Sequence, residues 1–404
     1  MNKLLKRTIY LKRILPYVDK SIVKVITGQR RVGKSYIMLL IVEELKQRKV
    51  KKEQIIYINK EDLSYEFIKD HTDLAKYVES RIKDIKLKYQ KIYLFIDEVQ
   101  EIKTFEKAIR SFLLNDKFDI YLTGSNSSIV SSEIATYLSG RYIEFRIYPL
   151  NYKEFLKFSG LDNSNKTLLM YMRYGGLPFL RNLELVDEVI FNYLKNIYNT
   201  ILLQDVVKRF DIRNVNFMES LVKYIADTTG ALLSANSIAN FLKQERSSIS
   251  PNIVLDYLSA LKSAYFIDDI KRYDIRGKKL LKLNSKYYLN DIGIRNAISG
   301  FRETDQGKLF ENIVLTHLLS NGYQVWVGNL QDLEIDFVVE KNNEIKYIQV
   351  AYKISSEATK KREFGNLLLI KDNYEKLVVS GEENIANYRG IKHLNILDFL
   401  IKYK

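Results

Sequence analysis

Cysteine is absent from this chain, which excludes disulfide scaffolds and cysteine-ligated zinc and suits a reducing cytosol. The three histidines, His71, His317 and His393, are scattered, so a histidine-built metal site is not expected either. Proline is scarce, with 4 in 404 residues, and no Gly/Ser-rich or Pro-rich stretch marks a linker. The domains are therefore expected to be joined by short turns or helices. No apolar run approaches the ~20 residues that span a bilayer. No apolar core follows the basic N-terminus, so no secretion leader is expected and the expected compartment is the cytoplasm.

What is present is lysine, and with it a formal charge of +15. One reading is an anionic partner, nucleic acid or a membrane surface. The other is compositional, because lysine, isoleucine, asparagine and tyrosine are plentiful in every region. Hydrophobic residues make up 46%, and the length exceeds what one ordinary core needs, so two or three domains are expected. Three zones differ in pattern. Residues 1–155 alternate short β-branched runs with amphipathic stretches, the mark of a parallel α/β sheet covered on both faces. Residues 156–300 read as mostly helical and end in a hairpin. Residues 301–404 return to mixed helix and strand.

The first zone carries a phosphate-binding motif. Gly28, Gln29, Arg30, Arg31, Val32, Gly33, Lys34 and Ser35 match G-x-x-x-x-G-K-[ST], after a strand at Ile22–Thr27 and before a helix from Lys34. The two glycines let successive N–H groups aim at a phosphate, and the helix N-terminus adds its positive dipole end. Lys34 is suited to the β/γ-phosphates and the Ser35 hydroxyl to Mg²⁺. A second buried run, Ile92–Ile96, ends in Asp97 and Glu98. Asp97 suits the metal through water, and Glu98 suits a general base for the attacking water. A third, Phe118–Leu122, ends in Thr123, Gly124, Ser125 and Asn126. Ligands of a parallel sheet sit beyond its strands' carboxyl ends, so Ser125 or Asn126 can orient water; each can equally cap the next helix. Arg141, before the strand at Tyr142–Ile147, reads either as an arginine finger, in cis or from a neighbouring subunit, or as a surface ion-pair residue.

With these motifs in view, the chain resembles AAA-type P-loop ATPases of archaea and bacteria that join an ATPase module to a winged-helix segment and a C-terminal domain. The matching signatures are Gly28–Ser35, Leu94–Glu98, Leu122–Ser125, Leu138-Ser139-Gly140-Arg141 with Tyr148-Pro149-Leu150, Tyr174-Gly175-Gly176-Leu177-Pro178, and Glu334-Ile335-Asp336-Phe337. The resemblance implies strand order 5-1-4-3-2 and ATP with Mg²⁺ as the ligands. ATP rather than GTP follows from the resemblance alone.

In the middle zone, Phe217–Asp227, Ser234–Leu242 and Pro251–Ser263 read as three short helices, followed by a hairpin of Tyr265–Arg272 and Lys279–Leu289. Three helices and a two-stranded wing make the winged-helix pattern. On a DNA reading, Pro251–Ser263 enters the major groove, with Arg246, Ser247, Ser248 and Asn252 near phosphates and Arg272, Arg276, Lys278 and Lys279 on the wing. The alternative is a protein–protein module, since Asp256 sits against Lys262 on a weakly basic third helix.

In the last zone, Glu311 on a predicted helix and Asp336 on a predicted strand, followed by a strand ending Gln349-Val350-Ala351, resemble the restriction-endonuclease-like order. Such nucleases gather carboxylates around Mg²⁺ with a lysine close by. Gln349 stands where the last carboxylate belongs and Ala351 where the lysine belongs, so a nuclease-like fold without nuclease activity is expected. The leading reading is an ATP-driven conformational switch acting on DNA or on a protein partner. An ATP-regulated nuclease and a nucleotide-holding module with negligible turnover are the alternatives.

Overall fold

The computed structural model describes residues 4–83, 91–130, 137–138, 140–244, 249–331, 333–354, 356–383 and 386–403. Ser139, Arg246, Ser247 and Ser248 lie outside them. The chain divides into two compact units, Met1–Ile147 with Ser263–Tyr265, and Tyr148–Lys262 with Phe266–Lys404. Among the described residues no helix is long and apolar enough to cross a membrane.

The first unit is built on five strands: β1 (Val23–Thr27), β2 (Ile55–Asn59), β3 (Ile92–Asp97), β4 (Phe118–Gly124) and β5 (Tyr142–Arg146). All pair in parallel, in the order β2-β3-β4-β1-β5, which is the expected 5-1-4-3-2 order read from the other edge. Every position of β1, β3 and β4 is buried, as parallel strands sandwiched between helices require. Among the described residues the helices α1 (Thr8–Ile14), α2 (Lys34–Gln47), α3 (His71–Lys83) and α4 (Phe105–Leu113) accompany them. Leu94, Ile96 and Leu122 pack with Phe105, Ile109 and Phe112 in one core, while the intervening Phe95 stacks on Tyr121 at 4.5 Å, so the period-2 alternation sends alternate residues to opposite faces. One charged pair is buried within this sheet: the Lys24 ammonium on β1 meets the Asp119 carboxylate on β4, and both residues are fully buried.

The second unit begins with α5 (Tyr152–Ser159), α6 (Asn165–Tyr174), α7 (Asp187–Thr200), α8 (Val215–Asp227), α9 (Ala235–Gln244) and α10 (Pro251–Ser263). The last three fall where the three short helices are expected. The hairpin follows as β7 (Ile267–Asp274) and β8 (Lys279–Leu289), after a two-residue β6 (Leu232–Leu233). The chain then runs through α11 (Ile292–Ser299), α12 (Gln306–Ser320), β9 (Gln324–Leu330), β10 (Leu333–Lys341), β11 (Glu344–Ala351), α13 (Glu357–Leu368), β12 (Glu375–Ser380), β13 (Lys392–Asn395) and α14 (Ile396–Lys402).

The hairpin forms where the two-stranded wing is expected, and it is also part of a larger sheet. β7 pairs antiparallel with β8 and parallel with β9, so both strands belong to one eight-stranded sheet, β13-β12-β11-β10-β9-β7-β8-β6. A backbone edge open for a wing is thus consumed by ladder hydrogen bonds. Arg272 points its guanidinium at Asn329 of β9, whereas Arg276, Lys278 and Lys279 stay exposed around the turn.

The Gly-Gly-Leu-Pro segment is a cross-brace in this second unit. Gly175 takes a positive φ of 78° after α6, Gly176 accepts from the Leu150 N–H at 2.7 Å, and its own N–H donates to Asp291 Oδ2 at 2.8 Å. Asp291 also caps α11 through the Ile294 N–H at 2.9 Å. Burial pushes the Asp291 carboxyl up to about 6, although the N–H groups of Gly176, Ile294 and Gly293 favour its charged form. Close backbone approach makes the glycines necessary, since a Cβ on Gly293 would lie 2.0 Å from the Tyr174 carbonyl oxygen. Gly293→Ala is expected to destabilise the second unit by about 3 kcal/mol or more, the upper end for overpacking; a urea midpoint within error of wild type would refute this packing account.

Candidate active site

The phosphate-binding loop connects β1 to α2 by three backbone residues with positive φ, Gly28 at 140°, Arg31 at 70° and Gly33 at 95°. Gly28 is required sterically as well, because a Cβ there would sit 2.3 Å from the Ile147 carbonyl oxygen. Lys34 opens α2 with its side chain buried. Its ammonium lies 3.5 Å from Glu98 Oε1 and donates to the Gln29 carbonyl at 3.3 Å. Ser35 is half-buried one residue on, and Val32 is buried while Arg31 is exposed. Arg30 reaches Glu61 at 3.4 Å.

Asp97 and Glu98 sit at the carboxyl end of β3, on the same sheet edge as the loop. Ile96 pairs with Leu122 across the β3–β4 ladder, which sets Asp97 opposite Thr123. The Thr123 hydroxyl donates to Asp97 Oδ1 and accepts the Glu98 N–H at 2.8 Å. Tyr57 donates to Asp97 Oδ2 at 3.3 Å, and burial beside that carboxylate raises the Tyr57 pKa. Glu98 has a left-handed backbone, φ 54°, a conformation uncommon for a non-glycine residue. Burial by itself would raise the Glu98 pKa. Lys34, Gln100, Arg30 and Ser125 together outweigh it and hold the carboxylate below its usual range. Gln100 donates its amide N–H to Glu98 Oε2.

Ser125 and Asn126, at the carboxyl end of β4, are each 1% exposed. Asn126 Oδ1 accepts the Ser128 N–H at 2.7 Å, an Asx turn, while Asn126 Nδ2 is sealed from solvent without a partner. Gln29 Nε2, Gln29 Oε1 and Gln100 Oε1 are in the same condition. Buried polar groups without partners are rare, and these come from the loop and from the ends of β3 and β4.

Arg141 does not join this group. It precedes β5 and is exposed, and the β1–β5 register sets Val23 against Tyr142 and Thr27 against Arg146. Arg141 therefore lies at the opposite edge of the sheet, roughly 16 Å along β5 at ~3.3 Å per residue. A cis arginine finger at this position is excluded by strand direction. Two contributors escaped the sequence reading. Thr123 was visible only as part of a strand end, and its role needs the ladder register. Arg7, 1% exposed, donates through Nη1 to the Val32 carbonyl at 2.8 Å and lies 4.6 Å over the Tyr10 ring. Nothing in its local sequence marks it.

The second carboxylate group also changes character in three dimensions. Glu311 on α12 and Asp336 on β10 come together as expected, but they face an ammonium. Lys286 of β8 lies 2.8 Å from Glu311 Oε1, 2.6 Å from Glu334 Oε1 and 3.9 Å from Asp336 Oδ1. Tyr288 donates to Glu311 from the same strand. Ala351 supplies no cation, as expected from its side chain, but a lysine distant in sequence, Lys286, brings one to the carboxylates. Burial lowers the Lys286 pKa, but Glu311, Asp336 and Glu334 more than reverse this and raise it. Asp336 is raised well above the carboxylate range, by burial first and then by Glu311. Gln349 Oε1 accepts the Asp336 N–H at 3.3 Å, and Asp336 Oδ2 accepts the Val350 N–H at 2.8 Å. Among the described residues no group of three or more His, Cys, Asp or Glu side chains is arranged to hold a metal ion.

Comparison with known proteins agrees with the first unit and leaves the second open. Residues 20–156 match a family model described as an AAA domain. Residues 165–305 and 306–399 match two models described as domains of unknown function, DUF8612 and DUF4143. An uncharacterized protein of Haemophilus influenzae is 35% identical over 99% of this chain and 99% of its own length. One from Methanocaldococcus jannaschii is 31% identical over 95% of this chain and 89% of its own. A solved structure of a Walker-type ATPase of Pyrococcus abyssi aligns at 16% identity and a TM-score of 0.49, over 74% of this chain and 96% of that one.

The Lys286 centre yields a stability test. Lys286→Met leaves the largely buried Glu311 carboxylate without its ammonium and is expected to cost about 3–5 kcal/mol, the range for breaking a buried ion pair from one side. Glu311→Gln in the same chain should recover part of it. Urea melts of the single and double variants check both, and an unchanged single variant would dismiss the ionic account.

Proposed function

The chain belongs to the family of AAA-domain proteins that includes these Haemophilus influenzae and Methanocaldococcus jannaschii relatives, and on that premise we propose that it is a Mg²⁺-dependent ATPase used as a conformational switch. The observation that carries the reading is the meeting of Lys34, Asp97 and Glu98 at the carboxyl edge of a 2-3-4-1-5 parallel sheet, around a loop that must be glycine at Gly28. The site fits a nucleotide on independent grounds. Gln29, Gln100 and Asn126 hold buried polar atoms that lack partners, as a wall lining a polar ligand would.

Gly28–Ser35 would hold the phosphates, with Ser35 and Asp97 as oxygen donors for Mg²⁺. When bound, the metal supplies neutralisation of phosphate charge. Lys34 leaves Glu98 for phosphate oxygens, which frees the carboxylate. Glu98 then takes the proton of the attacking water. Ser125 or Asn126 orients that water. Arg141, exposed at the far edge, can serve only the nucleotide of a neighbouring subunit, so its role depends on an oligomer.

For the output we favour a protein partner over DNA. The solvent face of α10 carries Asn252, Ile253, Leu255, Asp256 and Ser259, with Ile253 40% and Leu255 51% exposed. Its one lysine there, Lys262, is paired with Asp269 at 3.0 Å. A face that reads phosphates needs free cations, although Arg276, Lys278 and Lys279 at the hairpin turn keep the DNA reading testable.

Steady-state ATPase assays decide between these readings. Wild type should hydrolyse ATP only with Mg²⁺. Glu98→Gln should lose turnover by about 10²-fold or more, the scale of general-base catalysis, while still binding nucleotide. Turnover of Glu98→Gln equal to wild type would remove the hydrolytic reading. Rates should stay flat when duplex or single-stranded DNA is added at low salt, and stimulation by either would restore DNA as the partner.

A further inference from the structure

We infer that Gln100 is a positioning residue for hydrolysis, holding Glu98 in its working orientation once Lys34 has turned to the nucleotide. The inference rests on the ATPase reading above and extends it to a residue that no motif marks.

The argument begins with how Glu98 is held. Its main chain is pinned in the left-handed region, with the N–H donated to Thr123. Its two carboxylate oxygens meet partners on different elements, with Arg30 and Ser125 adding to the stabilisation of its charged form. Oε1 faces the Lys34 ammonium at 3.5 Å, and Oε2 accepts from the Gln100 amide. These partners differ in what they do to a base. An ammonium stabilises the carboxylate strongly and competes with any proton it would take. A neutral amide fixes the carboxylate's direction and lowers its basicity less than the ammonium does, because it carries no net charge. Lys34 is also the residue the loop offers to phosphate, so its hold on Glu98 is released when a nucleotide binds. Gln100 makes no such exchange. It follows β3 directly, on the short turn Val99–Glu101, and reaches back two residues to the carboxylate.

The surroundings fit this assignment. Gln100 Oε1 is buried and has no partner, so the amide is not oriented by a second hydrogen bond of its own. It is oriented by packing against the end of β4. A Cβ on Gly124 would lie 2.9 Å from Gln100 Oε1 and 3.0 Å from Ile129 Cδ1. Gly124 does not need a positive φ, and the space left by its missing Cβ is what admits the amide against the end of β4, immediately before Ser125 and Asn126. The amide thus links the carboxylate to the strand end that carries the water-orienting candidates.

The test is a double-mutant cycle in steady-state ATPase assays on the full chain. Gln100→Ala should lower kcat about tenfold, a typical share of oriented acid–base catalysis, with the KM for MgATP within twofold of wild type. Gln100→Asn, which keeps a shorter amide, should recover part of the loss. In a Glu98→Gln background, Gln100→Ala should add no further loss, because Gln100 acts through that carboxylate. Gly124→Ala should reproduce the kcat defect by crowding the amide. A Gln100→Ala variant with wild-type kcat overturns the inference. So does a loss that is fully additive with Glu98→Gln, which would mean a structural role. If Glu98→Gln itself turns over like wild type, the ATPase reading fails first; if Glu98→Gln is dead and Gln100→Ala is unaffected, only the positioning role falls.

Discussion

Both faces of the five-stranded sheet are covered, and that confines where its polar side chains can find partners. β1, β3 and β4 are buried along their whole length, so a charge on them must be neutralised inside the sheet or carried to a strand end. Lys24 and Asp119 take the first course as a buried pair. Asp97, Glu98 and Thr123 take the second, at the carboxyl edge, where the loop between β1 and α2 brings Lys34. The candidate site is thus the place where a sealed parallel sheet allows polar chemistry. The same constraint gives direction its force: an arginine before β5 and an arginine at its end are five residues apart and at opposite edges.

The second unit solves a different problem. Its eight strands form one sheet in which the hairpin β7–β8 is interior, and the helical segment is tied in by backbone contact at Gly175, Gly176 and Gly293. At the carboxylate centre, Lys286 from β8 compensates acids from α12 and β10. The ammonium ties together elements far apart in sequence. A single lysine converts a group of mutually repelling acids into part of the packing.

Much of this was legible in the sequence wherever the signal was local. The Gly28–Ser35 loop, the buried run before Asp97 and Glu98, and the helices expected at Phe217–Asp227, Ser234–Leu242 and Pro251–Ser263 depend on neighbours within a turn or a strand, whereas the strand order followed only from the resemblance. The hairpin strands were legible too, but their membership in a sheet was not. Period-2 patterning states that a segment is extended and says nothing about which edge it joins. Arg7, Thr123 and Lys286 escaped because their partners lie 25 or more residues away.

What the sequence by itself determined is two local groups at strand ends, a glycine-framed loop with a lysine and a hydroxyl after β1 and two carboxylates at the end of β3, each recognisable because its members are neighbours along the backbone. What only the tertiary structure decided is which distant groups face one another. It placed Glu98 between Lys34 and Gln100, removed Arg141 from the phosphate edge, drew the supposed wing into a sheet and filled the acidic centre with Lys286. The physical reason is common to all four. Strand register and buried charge compensation act between elements, and their outcome depends on distances that no local pattern encodes.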